Sequence, residues 1–274
     1  MGLAIARRLG SGSAVLLADF NAMALEAAAD TLRGEGQNVT TQIVDVSSRA
    51  SVVELGRAAA ALGSVARVAH TAGLSPAQAP VEAILHVDLL GVALVLEVFA
   101  DVIAPGGSGV VISSMAGHLA APIPADQESL LALTPADDLL ALPFATPDNF
   151  ANSGHAYGFA KRANQLRVQA ESVAWGDRGA RINSISPGII STPMGQTELD
   201  SPAGAAMRAM TAGSALKRLG TPDDIAATVD FLLGPTATFI TGTDILVDGG
   251  VISAMRNGHI DAAALRSPSS AENA

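Results

Sequence analysis

Two residues stand out for their chemistry, Tyr157 and Lys161. They are four apart at the start of a helical run, one turn of helix, so both side chains leave the same face. A free tyrosine has a pKa near ~10 and is a poor base at neutral pH. An ammonium group beside it stabilises the phenolate and draws that pKa down. A tyrosine tuned in this way can exchange a proton with an alcohol or a carbonyl. Taken alone, such a pair is more often an ordinary helix surface, so its flanks must carry the reading. Upstream, Val110-Val111-Ile112-Ser113-Ser114-Met115-Ala116-Gly117 is an apolar run ending in serines and glycine. Downstream, Arg181-Ile182-Asn183-Ser184-Ile185-Ser186 runs into Pro187-Gly188-Ile189-Ile190-Ser191-Thr192.

The elements that must position these residues alternate in type. Residues 1–10 read as a helix stopped by Gly10, 14–18 as a short apolar strand followed by Asp19, and 22–33 as an alanine-rich helix. A strand over 39–44 precedes Asp45-Val46. A helix over 48–62 and a strand over 65–69 lead into His70-Thr71-Ala72-Gly73. A long apolar helix over 81–103 and a strand over 109–113 follow. Such alternation implies a parallel sheet with helices on both faces, and near-continuous apolar strands fit a sheet buried on both sides.

Residues 118–153 break the rhythm with prolines at 122, 124, 135, 143 and 147. Short helices are expected over 129–133 and 136–142, the second started by a Thr134 hydroxyl cap with Pro135 at its first position. The helix over 155–175 carries Phe159, Ala163, Leu166, Ala170 and Val173 as an apolar stripe, with Tyr157, Lys161, Asn164 and Val168 on the other side. One side then faces the reacting groups while the other needs cover from the domain or a partner subunit. Thr221-Pro222-Asp223-Asp224 starts a further capped helix, and Ile245-Leu246-Val247-Asp248-Gly249-Gly250 closes the pattern with a strand and turn. No repeat or linker interrupts it, so the expectation is one domain over 1–255 and a polar tail over 256–274.

An apolar strand ending in serine, then a Tyr-x-x-x-Lys helix, then a strand with Pro-Gly-x-x-x-Thr resembles the short-chain dehydrogenase/reductase family, from residue 2 to about residue 250. The resemblance implies a doubly wound, Rossmann-like α/β fold and an NAD(P)-dependent oxidoreductase. It assigns Ser114 to the substrate oxygen, Tyr157 to proton transfer, and Lys161 to the tyrosine pKa and the nicotinamide ribose. Pro187, Gly188, Ile190 and Thr192 resemble the loop that packs on the nicotinamide. Asp45 and Val46 resemble the adenine contact, Ala72 and Gly73 a close backbone approach to the cofactor, and His70 a structural position. Asp88 departs from the pattern. The family usually has Asn there, holding a water in the proton relay, and an Asp could also pair with Lys161 and blunt its effect on Tyr157. Ala72-Gly73-Leu74-Ser75-Pro76 and the run Val247 to Arg256 resemble the bacterial 3α-hydroxysteroid dehydrogenase/carbonyl reductases. In such enzymes a secondary alcohol and a ketone interconvert.

The family normally puts roughly a dozen residues between its serine and tyrosine, so 118–153 is an insertion between the family's fifth strand and the catalytic helix. It stands at the carboxyl end of a strand, where open α/β sheets bind ligands. Its leucines suggest a lid over an apolar, steroid-like substrate. At the front, the family's glycine-rich phosphate turn is matched only by Gly2, and its first strand is absent. A start codon upstream of Met1 is the expectation, a truncated product the alternative. Asp19 ends the strand after that gap. A carboxylate there accepts hydrogen bonds from both ribose hydroxyls and repels a 2′-phosphate, which favours NAD over NADP.

Composition excludes other classes. The chain has 274 residues, 49% hydrophobic and 15% charged, with a net charge of −10. That charge disfavours nucleic acid and anionic membranes as partners. Without cysteine there is no disulfide, thiolate metal site or cysteine nucleophile, and five scattered histidines give no metal-ligand spacing. No apolar stretch of membrane-spanning length free of charge or breaker is read from the sequence, and Arg7 and Arg8 spoil a secretory signal. The expectation is a cytoplasmic homo-oligomer, dimer or tetramer, acting on a small-molecule alcohol or ketone. Two readings stand beside it: a Rossmann-like binding or scaffold protein that lost turnover with its phosphate loop, and an epimerase or dehydratase of the extended branch.

Overall fold

The computed structural model describes residues 1–261. Helix α1 (Gly2–Leu9) leads to β1 (Ala14–Asp19), α2 (Ala22–Gly34), β2 (Asn38–Ile43), α3 (Arg49–Leu62) and β3 (Val65–His70). Three contiguous helical segments follow: α4 (Val81–Ile84), a π-helical turn (Leu85–Leu90) and α5 (Gly91–Val102). Next come β4 (Ile103–Ile112) and the small helices α6 (Ala116–Leu119), α7 (Ala125–Leu133) and α8 (Ala136–Leu139). The long helix α9 (Ser153–Asp177) precedes β5 (Arg181–Pro187), α10 (Pro193–Leu199), α11 (Gly204–Gly213), α12 (Pro222–Leu233), β6 (Asp244–Val247) and α13 (Val251–Arg256). Residues 262–274, most of the expected tail, lie outside the described residues.

Every strand pairing is parallel. Strands β3-β4-β5-β6 form one sheet in chain order, and β1-β2 a second. Among the described residues no ladder joins β1 to β3. In the doubly wound order 3-2-1-4-5-6 the first strand lies between the second and the fourth, the places taken here by β1 and β3. The split is thus where the sequence reading missed a strand.

β4 shows how the layers form. Val110 and Ile112 pack with Ile5, Ile185, Ile225 and Val229, on the side of α1 and α12. Val111, one residue out of phase, packs with α5 and α9 through Phe99, Phe159 and Ala163. Side chains alternate across a strand, so a fully apolar strand serves both layers. The helical run Val81–Val102 proves long and apolar enough to cross a membrane by length and composition, which the sequence reading did not foresee. Of its apolar 18-residue window, 67% is buried within the fold, as in the core helix of a domain.

The insertion is built into that core. Leu131, Ala136 and Leu139 are buried in the same cluster as Phe159, Ala163 and Leu166. Phe150 and Phe144 meet Phe159 edge-on at 5.0 and 6.5 Å. The stripe on α9 therefore takes its cover from the chain itself as far as Leu166, while Val173 stays 68% exposed. Arg167, 1% exposed, ties the layers together. Its Nη1 donates to the carbonyls of Leu131 (3.1 Å) and Thr134 (2.7 Å), and its Nη2 to Glu97 (3.3 Å). Glu97 in turn accepts from the Ala136 N–H (2.7 Å) and pairs with Arg49 (2.6 Å). The expected Thr134 hydroxyl cap is not made: α8 is a single turn capped at Pro135 without a side-chain bond, and Thr134 gives its carbonyl to Arg167 instead. Of the proposed lid leucines, Leu130 and Leu133 face solvent and Leu131 and Leu139 face core.

Candidate active site

The carboxyl ends of β3, β4 and β5 converge on α9. Ser113 N–H donates to Ile185 O (2.7 Å) and its hydroxyl to Lys161 O (2.9 Å), while Met115 N–H donates to Pro187 O (2.8 Å). These bonds hold Ser114 over the first turns of α9. Asn152 caps that helix by accepting from His155 N–H (2.9 Å), and the Ser153 hydroxyl donates to Ala79 O (2.9 Å). The Ser114 hydroxyl accepts from Ala116 N–H (3.1 Å) and helps lower the pKa of the Tyr157 hydroxyl. Lys161 Nζ lies 5.3 Å from the Tyr157 ring centre. Ser114, Tyr157 and Lys161, picked from the sequence, do come together.

Asp88 joins them. The π-helical turn carries it into the interior, where it is fully buried and pairs with Lys161 Nζ at 2.8 Å. Its other oxygen accepts from Leu74 N–H at 3.0 Å. Single π turns often mark functional positions, because the widened turn re-aims one side chain. Gly73 permits the arrangement: a Cβ there would stand 2.7 Å from Asp88 Oδ1 and 3.3 Å from Lys161 Nζ.

The electrostatics differ from the simple tyrosine–lysine expectation. Burial pushes the Tyr157 pKa up, Lys161 pulls it down, and Asp88 pushes it up again, with the net direction upward. Burial alone would depress the Lys161 ammonium, yet Asp88 and Tyr157 outweigh it and hold its pKa above the ordinary value. The blunting role foreseen for Asp88 matches these directions. His70 is buried beside this charge, and burial together with Lys161 lowers its pKa to about 4, so it stays neutral.

The other sequence-predicted residues spread along the same rim. Asp19 is exposed at the end of β1, with one oxygen accepting from Asn21 N–H (2.8 Å). Asp45 accepts from the Ser47 N–H (2.9 Å) and hydroxyl (2.6 Å), and Val46 is buried against Gly91. Gly2 lies against Thr71, next to Ala72. Gly188 donates to Val247 O (2.9 Å) and abuts the Asp248 backbone, leaving no room for a Cβ. Pro187 is buried at the end of β5, and the Ile190 side chain belongs to the core on the α1 side. Thr192 caps α10 by accepting from Gly195 N–H (3.0 Å). A surface hollow of about 550 Å³, lined by Arg7, Ser13, Glu35 and Gln37, opens at the amino ends of β1 and β2, away from Tyr157. Among the described residues no group of three His, Cys, Asp or Glu could hold a metal ion.

Sequence reading missed two polar features here. His118 Nε2 meets Asp244 Oδ2 at 2.7 Å, and Asp244 Oδ1 accepts from the Ser184 (2.6 Å) and Ser186 (3.0 Å) hydroxyls. Burial raises the pKa of Glu198 on α10, and Ser75 works the other way. No local motif marks either, since each partner comes from a different element.

A parallel α/β sheet with serine, tyrosine and lysine grouped at its carboxyl ends defines an oxidoreductase built on the dinucleotide-binding plan. The comparisons agree. The family described as "short chain dehydrogenase" matches residues 1–125, and one described as "Enoyl-(Acyl carrier protein) reductase" matches residues 138–252. A short-chain dehydrogenase/reductase of Alternaria brassicicola is 41% identical over 254 residues, 92% of each chain. The 3-alpha-hydroxysteroid dehydrogenase/carbonyl reductase of Comamonas testosteroni is 30% identical over 189 residues, 68% of this chain and 72% of that one. Among solved structures, a short-chain type dehydrogenase/reductase from Mycobacterium ulcerans superposes with a TM-score of 0.71 at 25% identity, over 97% of this chain and 93% of that one. The chain belongs to the short-chain dehydrogenase/reductase family.

Proposed function

We propose that the protein is an NAD-linked dehydrogenase that interconverts a secondary alcohol and a ketone. The observation that carries this is the cluster of Ser114, Tyr157, Lys161 and Asp88 at the carboxyl ends of the strands, with Lys161 and Asp88 buried and Ser114 and Tyr157 partly exposed. The nicotinamide cofactor, when bound, supplies or receives the hydride. The chemistry of the donor set fits such a group: Asp19 stands exposed at the end of β1 as an acceptor, and Lys161 stands as a buried cation beside Tyr157. Asp19 would hold the ribose hydroxyls, Asp45 and Val46 would border the adenine, and Ala72 and Gly73 would lie along the cofactor with Gly2. Pro187, Gly188, Ile190 and Thr192 would border the nicotinamide, the last two through their backbone.

In this reading the chain's own groups manage position and proton. Ser114 bonds the substrate oxygen and steadies the charge that develops on it. Tyr157 takes the alcohol proton in oxidation and returns it in reduction. Lys161 favours the phenolate, and Asp88 fixes Lys161 in place while offsetting part of its charge. The hydroxysteroid relative supports an apolar substrate body, with residues 118–124 as the part of the insertion nearest the cleft. Beyond those, 125–150 serve as a brace for α9.

The test is turnover of NAD with a panel of cyclic secondary alcohols, followed by absorbance of the reduced nicotinamide. Asp19→Ala should narrow the NAD-over-NADP preference, mainly by weakening NAD. A parent protein that already prefers NADP would overturn the reading of Asp19, and one that binds cofactor without turning over any alcohol or ketone would overturn the dehydrogenase reading.

A further inference from the structure

We infer that His118 and Asp244 form a clasp that positions Ser114 for the reaction, a role that rests on the dehydrogenase reading. Ser114 opens a tight turn into α6. The Ser114 carbonyl accepts from Gly117 N–H (3.0 Å), and that of Met115 from His118 N–H (2.9 Å). Helix α6 itself is a single turn without a side-chain cap. A helix that short does not hold itself together in water, so its place is set by what it touches. It is held at two points. A Cβ on Gly117 would stand 2.9 Å from the backbone of Lys161 and Arg162 and 2.7 Å from Gln165 Nε2, so the turn lies flush on α9. One residue further on, His118 Nε2 meets Asp244 Oδ2 of β6 at 2.7 Å.

Asp244 is placed to receive that bond. The parallel register sets it beside Ser184 of β5. Its Oδ1 accepts from the hydroxyls of Ser184 (2.6 Å) and Ser186 (3.0 Å), which leaves Oδ2 for His118. A carboxylate only accepts, so His118 Nε2 carries the hydrogen of the bond. Ser186 in turn accepts from Nε2 of Gln165 (3.0 Å), one helical turn after Lys161. The bonds therefore leave α6, cross β6 and β5, and return to α9, the helix that carries Tyr157 and Lys161. Ser184, Ser186 and Gln165 are buried, and the Asp244 side chain is 9% exposed. Hydrogen bonds to a charged acceptor, made away from water, are the strong ones. Releasing His118 would free one end of the turn while the sheet and α9 keep their own ladders and packing. The loss then falls on the placement of Ser114. His118 and Asp244 act through that serine and are positioning residues.

The experiment is a double-mutant cycle on the full chain with NAD, read as kcat for the fastest of cyclopentanol, cyclohexanol and cycloheptanol. A small misplacement of a reacting group can cost about 10²-fold, so His118→Ala should lower kcat by roughly tenfold or more. Once Ser114→Ala has removed the hydroxyl that the clasp positions, the same change should cost less than about twofold, because groups that act as a unit are not additive. His118→Gln can present an N–H to Asp244 and should recover most of the loss, a rescue that general loosening of the fold would not show. Should His118→Ala fail to fold, Asp244→Asn, which keeps the shape and weakens the acceptor, carries the same cycle. An equal loss in the two backgrounds, or near-normal kcat in folded His118→Ala, overturns the clasp alone. A parent that oxidises no cyclic alcohol overturns the dehydrogenase reading and the clasp with it.

Discussion

Tyr157 carries the sharpest residue-scale prediction. Tyr157→Phe keeps the ring's packing and removes the transferable proton, so turnover should drop by at least ~10²-fold, the lower range for general acid–base catalysis. Cofactor affinity measured by fluorescence titration should change little, and near-normal turnover in a folded variant would defeat the assignment. Asp88 gives the second. Its carboxylate raises the Tyr157 pKa and that of Lys161. In Asp88→Asn both should fall, and since the deprotonated tyrosine is the base in oxidation, the acid limb of kcat against pH should shift downward. A limb that moves upward or stays put would exclude Asp88 from the proton path. Ser114, Tyr157, Lys161 and Asp88 were all legible from spacing and family resemblance. The net direction of the Tyr157 shift was not, because burial is a property of everything packed around the phenol and no local pattern encodes it.

At the level of elements, the insertion changes its meaning once its contacts are known. A plain leucine-rich loop beside the reacting groups suggests a lid that a Gly/Ser replacement of 120–150 could remove. Leu131 and Leu139 instead complete the core over Phe159, and Arg167 would lose two carbonyl partners with the segment. Such a replacement should now unfold α9 along with its reacting groups. Leu131→Ala should cost about 2–5 kcal/mol, the range for large-to-small changes at fully buried sites. The urea midpoint checks it: a shift of a few tenths of a kcal/mol would return the segment to the role of a loose cover. The alternation of strands and helices was readable because period and punctuation are local. The clamp was not, since Arg167, Glu97 and Arg49 meet from three elements spread over more than a hundred residues of chain. The capped start at Thr221 shows the other limit, a purely local motif that forms as read, with the full capping box to Asp224.

For the whole molecule, assembly is the first question. The α9 stripe that could have paired subunits is covered as far as Leu166 by the chain's own insertion, which leaves Val173 and its neighbours as a small exposed remnant. We expect a homo-oligomer by light scattering at micromolar concentration, and Val173→Glu should leave its mass unchanged. A monomeric parent would end the oligomer proposal, and a variant that dissociates would return α9 to the interface.

The split sheet has a consequence in the time domain. β4 and β5 have ladder partners on both sides, while β1 and β3 each turn one side to the gap between the two sheets. Every second amide of those two strands points where no carbonyl receives it, and unpaired edges of this kind are open both to solvent and to another extended chain. Deuterium should therefore enter β1 and β3 in an alternating pattern, fast at one amide and slow at the next, while β4 and β5 hold their protons until the domain opens as a whole. Crowding the protein should slow the fast set first, as edges find one another, and turbidity should rise in step.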